Sequence, residues 1–186
     1  MSEYWDAIRI EWTNYRVSFA ADPRDIPANL ERLRCSKTAE EATAAYWCLD
    51  NVVIVQGSLF SAALPTARCI LSLLCVCETR HGRELMLELL EQIANGEDST
   101  GGELHRNILD AVLPAFPIYA GLLQYGSDNE RELCVELVLL CAKQDPSLRP
   151  VVEYFLNALR SCSDASGKTR EYANRRFEFE RCSWRA

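Results

Sequence analysis

Arg83-Glu84-Leu85, followed by Glu88-Leu89 and Ala94, returns as Arg131-Glu132-Leu133, Glu136-Leu137 and Ala142 at a constant offset of 48. The conservative pairs Leu87/Val135 and Leu90/Val138 hold the same register. Upstream, Ala62, Leu64-Pro65 and Leu73-Leu74 match Ala111, Leu113-Pro114 and Leu122-Leu123 at an offset of 49. Apolar residues spaced by three and four within each block predict amphipathic helices. The repeating unit is then a Leu-Pro helix followed by an Arg-Glu-Leu helix, close to the period of HEAT and armadillo repeats. One helix pair cannot bury its own apolar face, so neighbouring pairs stack. The expected fold is all-α, a short HEAT/armadillo-like α-solenoid of stacked antiparallel helix pairs. Chance similarity among Leu- and Glu-rich helices is the competing account, and two blocks agreeing within one residue of offset weigh against it.

Working outward, Thr38 with Glu41 reads as a capping box, the hydroxyl meeting the N3 amide while the carboxylate reaches back. Ala42, Ala45, Tyr46, Leu49 and Val52/Val53 then form an apolar stripe, and Gln56-Gly57-Ser58 is expected to end that helix. A further helix is expected from Ser58 or Leu64-Pro65, and another from about Arg80 to Asn95. Residues 95–102 read as the longest internal loop. Ser127 with Glu130 opens a helix to Lys143, and Asp145-Pro146 opens one to about Ser161. A single domain, 1–186, is expected: an aromatic segment over 1–24, helical repeats over 25–161 and a basic aromatic tail over 162–186.

The two ends differ from the middle. Trp5, Ile8, Trp12, Tyr15 and Phe19 fit helical spacing, whereas Ile8, Ile10, Trp12 and Tyr15, Val17, Phe19 alternate as two short strands would. Both readings stay open. The last twenty residues carry Lys168 and five Arg against three Glu, a local charge of +3, interleaved with Tyr172, Phe177, Phe179 and Trp184. The rest of the chain therefore stands at −10 within a total of −7. Opposite charge on the same molecule favours folding the tail back over offering it to a partner.

That acidic balance weighs against a nucleic-acid-backbone binder, which needs clustered cations. Two His and eight Gly leave little for catalysis. Nine Cys, an odd number with no Cys-x-x-Cys, suit a reducing compartment in which they serve as small buried hydrophobes. The N-terminus lacks the pattern of a secretory signal, and the longest near-apolar run, Cys69 to Cys77, falls short of the roughly 20 residues a spanning helix needs. A cytoplasmic location and no membrane are expected.

Motifs for chemistry are weak. Ser166-Gly167-Lys168-Thr169 resembles the end of a phosphate-binding loop, but Cys162 stands where the first Gly is required. Cys75 and Cys77 on a helix would point about 200° apart, too far to share one tetrahedral metal. His81 and His105 have no local acid or nucleophile signature. The expectation is no enzyme, no metal and no cofactor.

The constellation that carries a prediction is acidic. Glu84, Glu88 and Glu91 lie along one helix face, opposite Leu85, Met86, Leu89, Leu90 and Ile93. Glu132 and Glu136 hold the matching positions in the next unit. Stacked repeats would set these five carboxylates in a strip that steers a protein partner with a basic surface. The alternative is a solvated helix face, partly satisfied by Arg83 and Arg131.

Asp25-Ile26-Pro27 with Leu30 and Leu33, Gln56-Gly57 followed by Phe60, Ala63 and Pro65, and the helix ending in Leu89-Leu90, Ile93-Ala94 and Gly96 together carry a resemblance. Over roughly residues 12–96 the chain resembles small bacterial HEAT-like proteins encoded beside polymorphic toxins. Many of these carry His before the Gln-Gly, where this chain has Val55, so no role of that His transfers. The resemblance implies an immunity factor that binds a cognate bacterial toxin and blocks its functional site. The alternative from another class is a HEAT-like scaffold or adaptor with no toxin partner. The oligomeric state is not set by either reading.

Overall fold

The computed structural model describes residues 7–18, 21–99 and 101–184. The expectations placed on Trp5 and Phe19 lie outside these residues. The protein is all-α, with helices packed mostly on their sequence neighbours, and it divides into two compact units, Met1–Val112 and Leu113–Ala186.

In the first unit residues 7–9 of the aromatic segment are helical, and the described residues after them form no strand pair. Trp12 starts a single 3-10 turn, Trp12–Asn14, and its buried indole donates to Ala7 O at 2.7 Å. The chain then runs extended: Arg16 O accepts from Ala62 N, and Ser18 N donates to Val52 O, both at 3.1 Å. Asp22 caps a second turn, Pro23–Asp25, which leads into α1 (Ile26–Cys35) with Ile26, Leu30 and Leu33 buried. Helix α2 (Ala39–Val53) buries Ala42, Ala45, Tyr46, Leu49 and Val53. Thr38 caps it through Glu41 N, but the Glu41 carboxylate accepts from Lys37 N at 2.8 Å, one residue upstream of the expected capping-box partner.

Helix α2 stops three residues before Gln56-Gly57. Val52-Val53-Ile54-Val55 is a run of β-branched residues, which lose side-chain freedom in a helix and favour extended backbone. Strands β1 (Ile54–Val55) and β2 (Ser58–Leu59) pair antiparallel, and Gln56 (φ 50°) and Gly57 (φ 80°) supply the two left-handed residues of the tight turn between them. Gln-Gly is thus a hairpin turn and not a helix end. The unit closes with α3 (Ala63–Leu74), α4 (Arg80–Asn95) and α5 (Glu103–Val112), which pack on one another pairwise.

The second unit repeats that arrangement. Helices α6 (Phe116–Tyr125), α7 (Asp128–Gln144) and α8 (Arg149–Arg160) also pack pairwise, and α7 begins 48 residues after α4. Burial follows suit: Met86, Leu87, Leu89 and Leu90 are buried as are Cys134, Val135, Leu137 and Val138, with Glu88 and Glu136 half-buried between them. The unit is therefore a triad of helices and not a pair. The Leu-Pro match is imperfect. Leu64-Pro65 sits in the first turn of α3, whereas Leu113-Pro114 forms a 3-10 turn before α6, because Pro117 has no N–H to donate to Leu113 O and so breaks the α-helical ladder there.

Ser127 and Glu130 make both bonds of the capping box on α7. Asp145 caps a 3-10 turn, Pro146–Leu148, and α8 follows only at Arg149. The basic tail is one helix, α9 (Gly167–Trp184), packed on α7 and α8 with Thr169, Ala173 and Phe177 buried at four-residue spacing. The continuous helical stretch 103–125 has the length and apolarity of a membrane span. It is, however, two helices joined by a 3-10 turn with Pro114 and Pro117, and Ile108, Leu109, Val112, Tyr119 and Leu123 are buried.

Candidate partner-binding surface

The two conserved features of the repeat, its Arg and its Glu, play the same parts in both units. Arg83 donates to Cys77 O and Arg131 to Gln124 O, each at 3.1 Å, so each Arg ties the start of its helix to the segment before it. Glu88 accepts from Tyr46 Oη at 3.2 Å, and Glu136 accepts from Tyr172 Oη. Equivalent carboxylates thus each hold a tyrosine of the helix that covers them, α2 over α4 and α9 over α7.

Within the second unit the tail occupies the acidic positions. Arg176 grips Glu136 through Nε and Nη2, both at 2.6 Å, and Thr169 donates to Glu132 at 2.9 Å, with Lys168 Nζ 4.0 Å away. The Glu132 and Glu136 side chains keep only 22 % and 17 % of their exposure, so the chain itself already fills the place expected for a partner at these two residues. The tail donors at 169, 172 and 176 follow helical spacing, a signal that was readable once the tail was taken as a helix facing α7. Ser166 caps that helix by accepting from Thr169 N at 3.1 Å, which accounts for Ser-Gly-Lys-Thr without a phosphate.

In the first unit Glu84 accepts from Arg80 at 2.7 Å and is largely covered. Glu91 accepts from Asn95 at 2.8 Å and lines a cleft of about 400 Å³. The last turns of α2 and α4 and the β1–β2 turn form its walls, contributing Asp50, Asn51, Gln56, Glu91, Gln92 and Asn95. Asp50 escaped the sequence reading because it belongs to no acidic row. Partial burial, with the Glu88 charge adding to it, raises its carboxyl above the ordinary range. Trp47, one turn earlier on α2, is 53 % exposed and stands edge-on to Tyr46.

Burial and the Glu88 charge disfavour the ionised form of Asp50, and it lies in the last turn of a helix, where the macrodipole is negative. The penalty is absent at acid pH, where Asp50 is protonated folded and unfolded, and it develops as pH rises through the carboxylate range. Asp50→Asn is expected to stabilise the protein at pH 7 by about 0.3–0.5 kcal/mol, modest because water screens the site. Urea midpoints of wild type and variant should converge as pH falls, and a gap that widened would contradict this account.

His105 bonds Ala94 O at 2.9 Å. Cys77 is buried against Arg34 O and Thr79 O while Cys75 is exposed near Leu71 O; α3 ends at Leu74, so the two thiols lie in the turn beyond it and not on a helix as expected. Burial pushes the Cys141 thiol up to about 12, and Cys134 higher still. No group of three His, Cys, Asp or Glu among the described residues could hold a metal. Native-state labelling with a disulfide reagent should modify Cys48, Cys75 and Cys182 quickly and Cys35 slowly, its thiol being raised by burial and Glu31. Cys69, Cys77, Cys134 and Cys141 should react only on unfolding; fast labelling of a buried thiol would refute this order.

No family model, curated protein or solved structure matches the chain.

Proposed function

We propose that this is a HEAT/armadillo-like binding protein, an immunity factor of the bacterial cytoplasm that neutralises a cognate toxin by covering its functional site. The observation that carries the reading is the cleft at the ends of α2 and α4, whose lining holds Asp50 and Glu91 and no basic residue. A recess of one charge steers a partner of the opposite charge and fixes its register. The toxin residues that bind it are basic, and the contact residue in the cleft is Glu91; Glu88 and Glu84, one and two turns nearer the start of α4 and held by Tyr46 and Arg80, add to its negative field. Glu132 and Glu136 are held by the tail and are not contact residues in this reading. No catalytic step is assigned to the chain.

Co-expression with the product of the adjacent gene, followed by pull-down and a growth test, checks the reading. A stable complex and restored growth are expected; failure of either overturns it. Glu91→Lys should weaken the complex at least tenfold by titration calorimetry. The second reading, an adaptor in a larger assembly, is favoured by a separate apolar hollow in the second unit. Leu123, Phe155 and Leu159 line it, and Tyr125 is 86 % exposed at its edge. A complex without growth protection would support the adaptor.

A further inference from the structure

We infer that the apolar outer stripe of α8, with the hollow beside it, is where a second copy of this chain docks, the two α8 helices crossing antiparallel about a twofold axis. The inference is independent of the toxin reading, and it gives the hollow on which the adaptor reading rests to a second copy.

Helix α8 is apolar over more of its circumference than its core contacts use. At about 100° per residue, Val152, Leu156 and Leu159 share one side, and all three are buried. Val151, Tyr154, Phe155 and Ala158 share the side next to it. The two sides together span roughly 200°, whereas a helix packed on one core needs little more than about 100°. The charges of α8, Arg149, Glu153 and Arg160, all fall in the remaining arc, away from the second stripe. That stripe is open: Tyr154 is 66 % exposed, Val151 is 42 % exposed, and Ala158 is exposed as well.

The stripe is continuous with the hollow. The Tyr154 and Phe155 rings meet edge-on at 5.5 Å, and Phe155 lines the hollow with Ala158, Leu159 and Cys162. Tyr125, at the end of α6, lines it too and is the most exposed of these rings.

Charge, area and shape together select a second copy as the occupant. The chain carries −7, and neither the stripe nor the lining of the hollow holds a charged side chain. A basic partner has nothing to grip there, whereas two like-charged copies can meet on such a face without setting like charges opposite each other. Two tyrosines, Val151, Ala158 and the open part of Phe155 present on the order of 500 Å². A twofold axis doubles that to roughly 1,000 Å², the lower bound for a specific interface.

The face also carries both a knob and a hole. The hollow is about 260 Å³, room for one aromatic side chain and below the usual range of small-molecule sites. An antiparallel crossing centred between Leu156 and Asn157 sets Tyr154 over Leu159 of the partner subunit, and Val151 opposite the partner's Cys162. The same rotation fills both hollows, which is the self-complementarity an isologous pair requires, and it closes at two copies.

The test is sedimentation velocity on the full, reduced chain over a concentration series, with Tyr154→Glu and Ala158→Glu alongside. A reversible monomer–dimer equilibrium is expected, half-complete on the order of 10–100 µM for an interface of this size. Higher ionic strength should tighten the dimer, because it screens repulsion between the two acidic copies. Each variant should weaken the dimer at least tenfold while keeping the unfolding midpoint of the dilute, monomeric wild type, since both positions are exposed. A chain that stays monomeric throughout, species that grow past the dimer, loosening by salt, or an unchanged equilibrium in both variants would overturn the inference. If the chain is monomeric and the variants release the product of the adjacent gene, the face serves a different protein and the inference fails. If the dimer forms as described and no toxin is bound, the toxin reading alone fails.

Discussion

Gly82→Val should unfold at a far lower urea concentration than the wild-type chain. A Cβ at this position meets Leu33 O at 2.5 Å, Thr79 Oγ1 at 2.7 Å and Cys77 Sγ at 3.0 Å. The nearest of these is backbone near the end of α1, already accepting from Ser36 Oγ, so it cannot swing aside as a side chain would. Helix α4 must move off α1, opening the layer that buries Leu33, Met86 and Leu90. Overpacking of this kind costs about 1–3 kcal/mol for modest insertions, and valine adds two further carbons in a site that refuses the first. We expect about 3 kcal/mol, or a fall in Tm of the order of 10 °C or more for a unit of this size. Gly121→Ala is the opposite case. It lies within α6 with nothing within 4 Å of the added methyl, and should stabilise by about 0.5–1 kcal/mol through helix propensity alone. Similar midpoints for the two variants would mean that close approach does not hold α1 to α4.

Phe177→Ala should free the tail helix while leaving α6–α8 folded. Phe177 is 1 % exposed and meets Trp184 edge-on at 5.9 Å, and only Thr169 and Ala173 share its buried side of α9. Truncating a buried Phe costs about 3–5 kcal/mol. The ion pair of Arg176 with Glu136 is partly solvated, which limits it to about 1 kcal/mol. The aromatic anchor therefore outweighs the charge contacts, although the charges were the visible signal in the sequence. An isolated 18-residue helix is marginal in water, so a detached α9 melts. Hydrogen exchange should accelerate across residues 170–184 in Phe177→Ala and change little in Arg176→Met. Equal acceleration in both would reverse this ranking.

The helices that repeat were legible because each carries a complete local message. Residues 80–95 and 128–144 have an N-cap, an apolar period and a polar stop, and none of these needs a distant partner. The hairpin at Gln56-Gly57 was misread because a glycine after an apolar run signals a helix end or a turn equally well, and the run of four β-branched residues decides between them. The acidic rows were visible, but their surroundings were not. Glu88 finds Tyr46 from a helix earlier in the chain and Glu136 finds Tyr172 from one later, and no periodicity links residues 36 to 42 positions apart. The cleft was hidden for the same reason: Asp50 and Glu91 meet through the ends of two helices, and each looks unremarkable within its own segment.

The opposite chain directions of Tyr46 and Tyr172 bear on ancestry. A duplication that copied the three-helix triad would have carried the carboxylate at 88 into position 136 but not the helix lying over it. Each copy would then have recruited its own cover, one from the stretch before the triad and one from the stretch after, and arrived at the same phenol-to-carboxylate bond. On that history the acceptor is inherited and the donor is convergent. The covers are then the youngest surfaces of each unit, and the ones where lineages with the same triad are free to diverge.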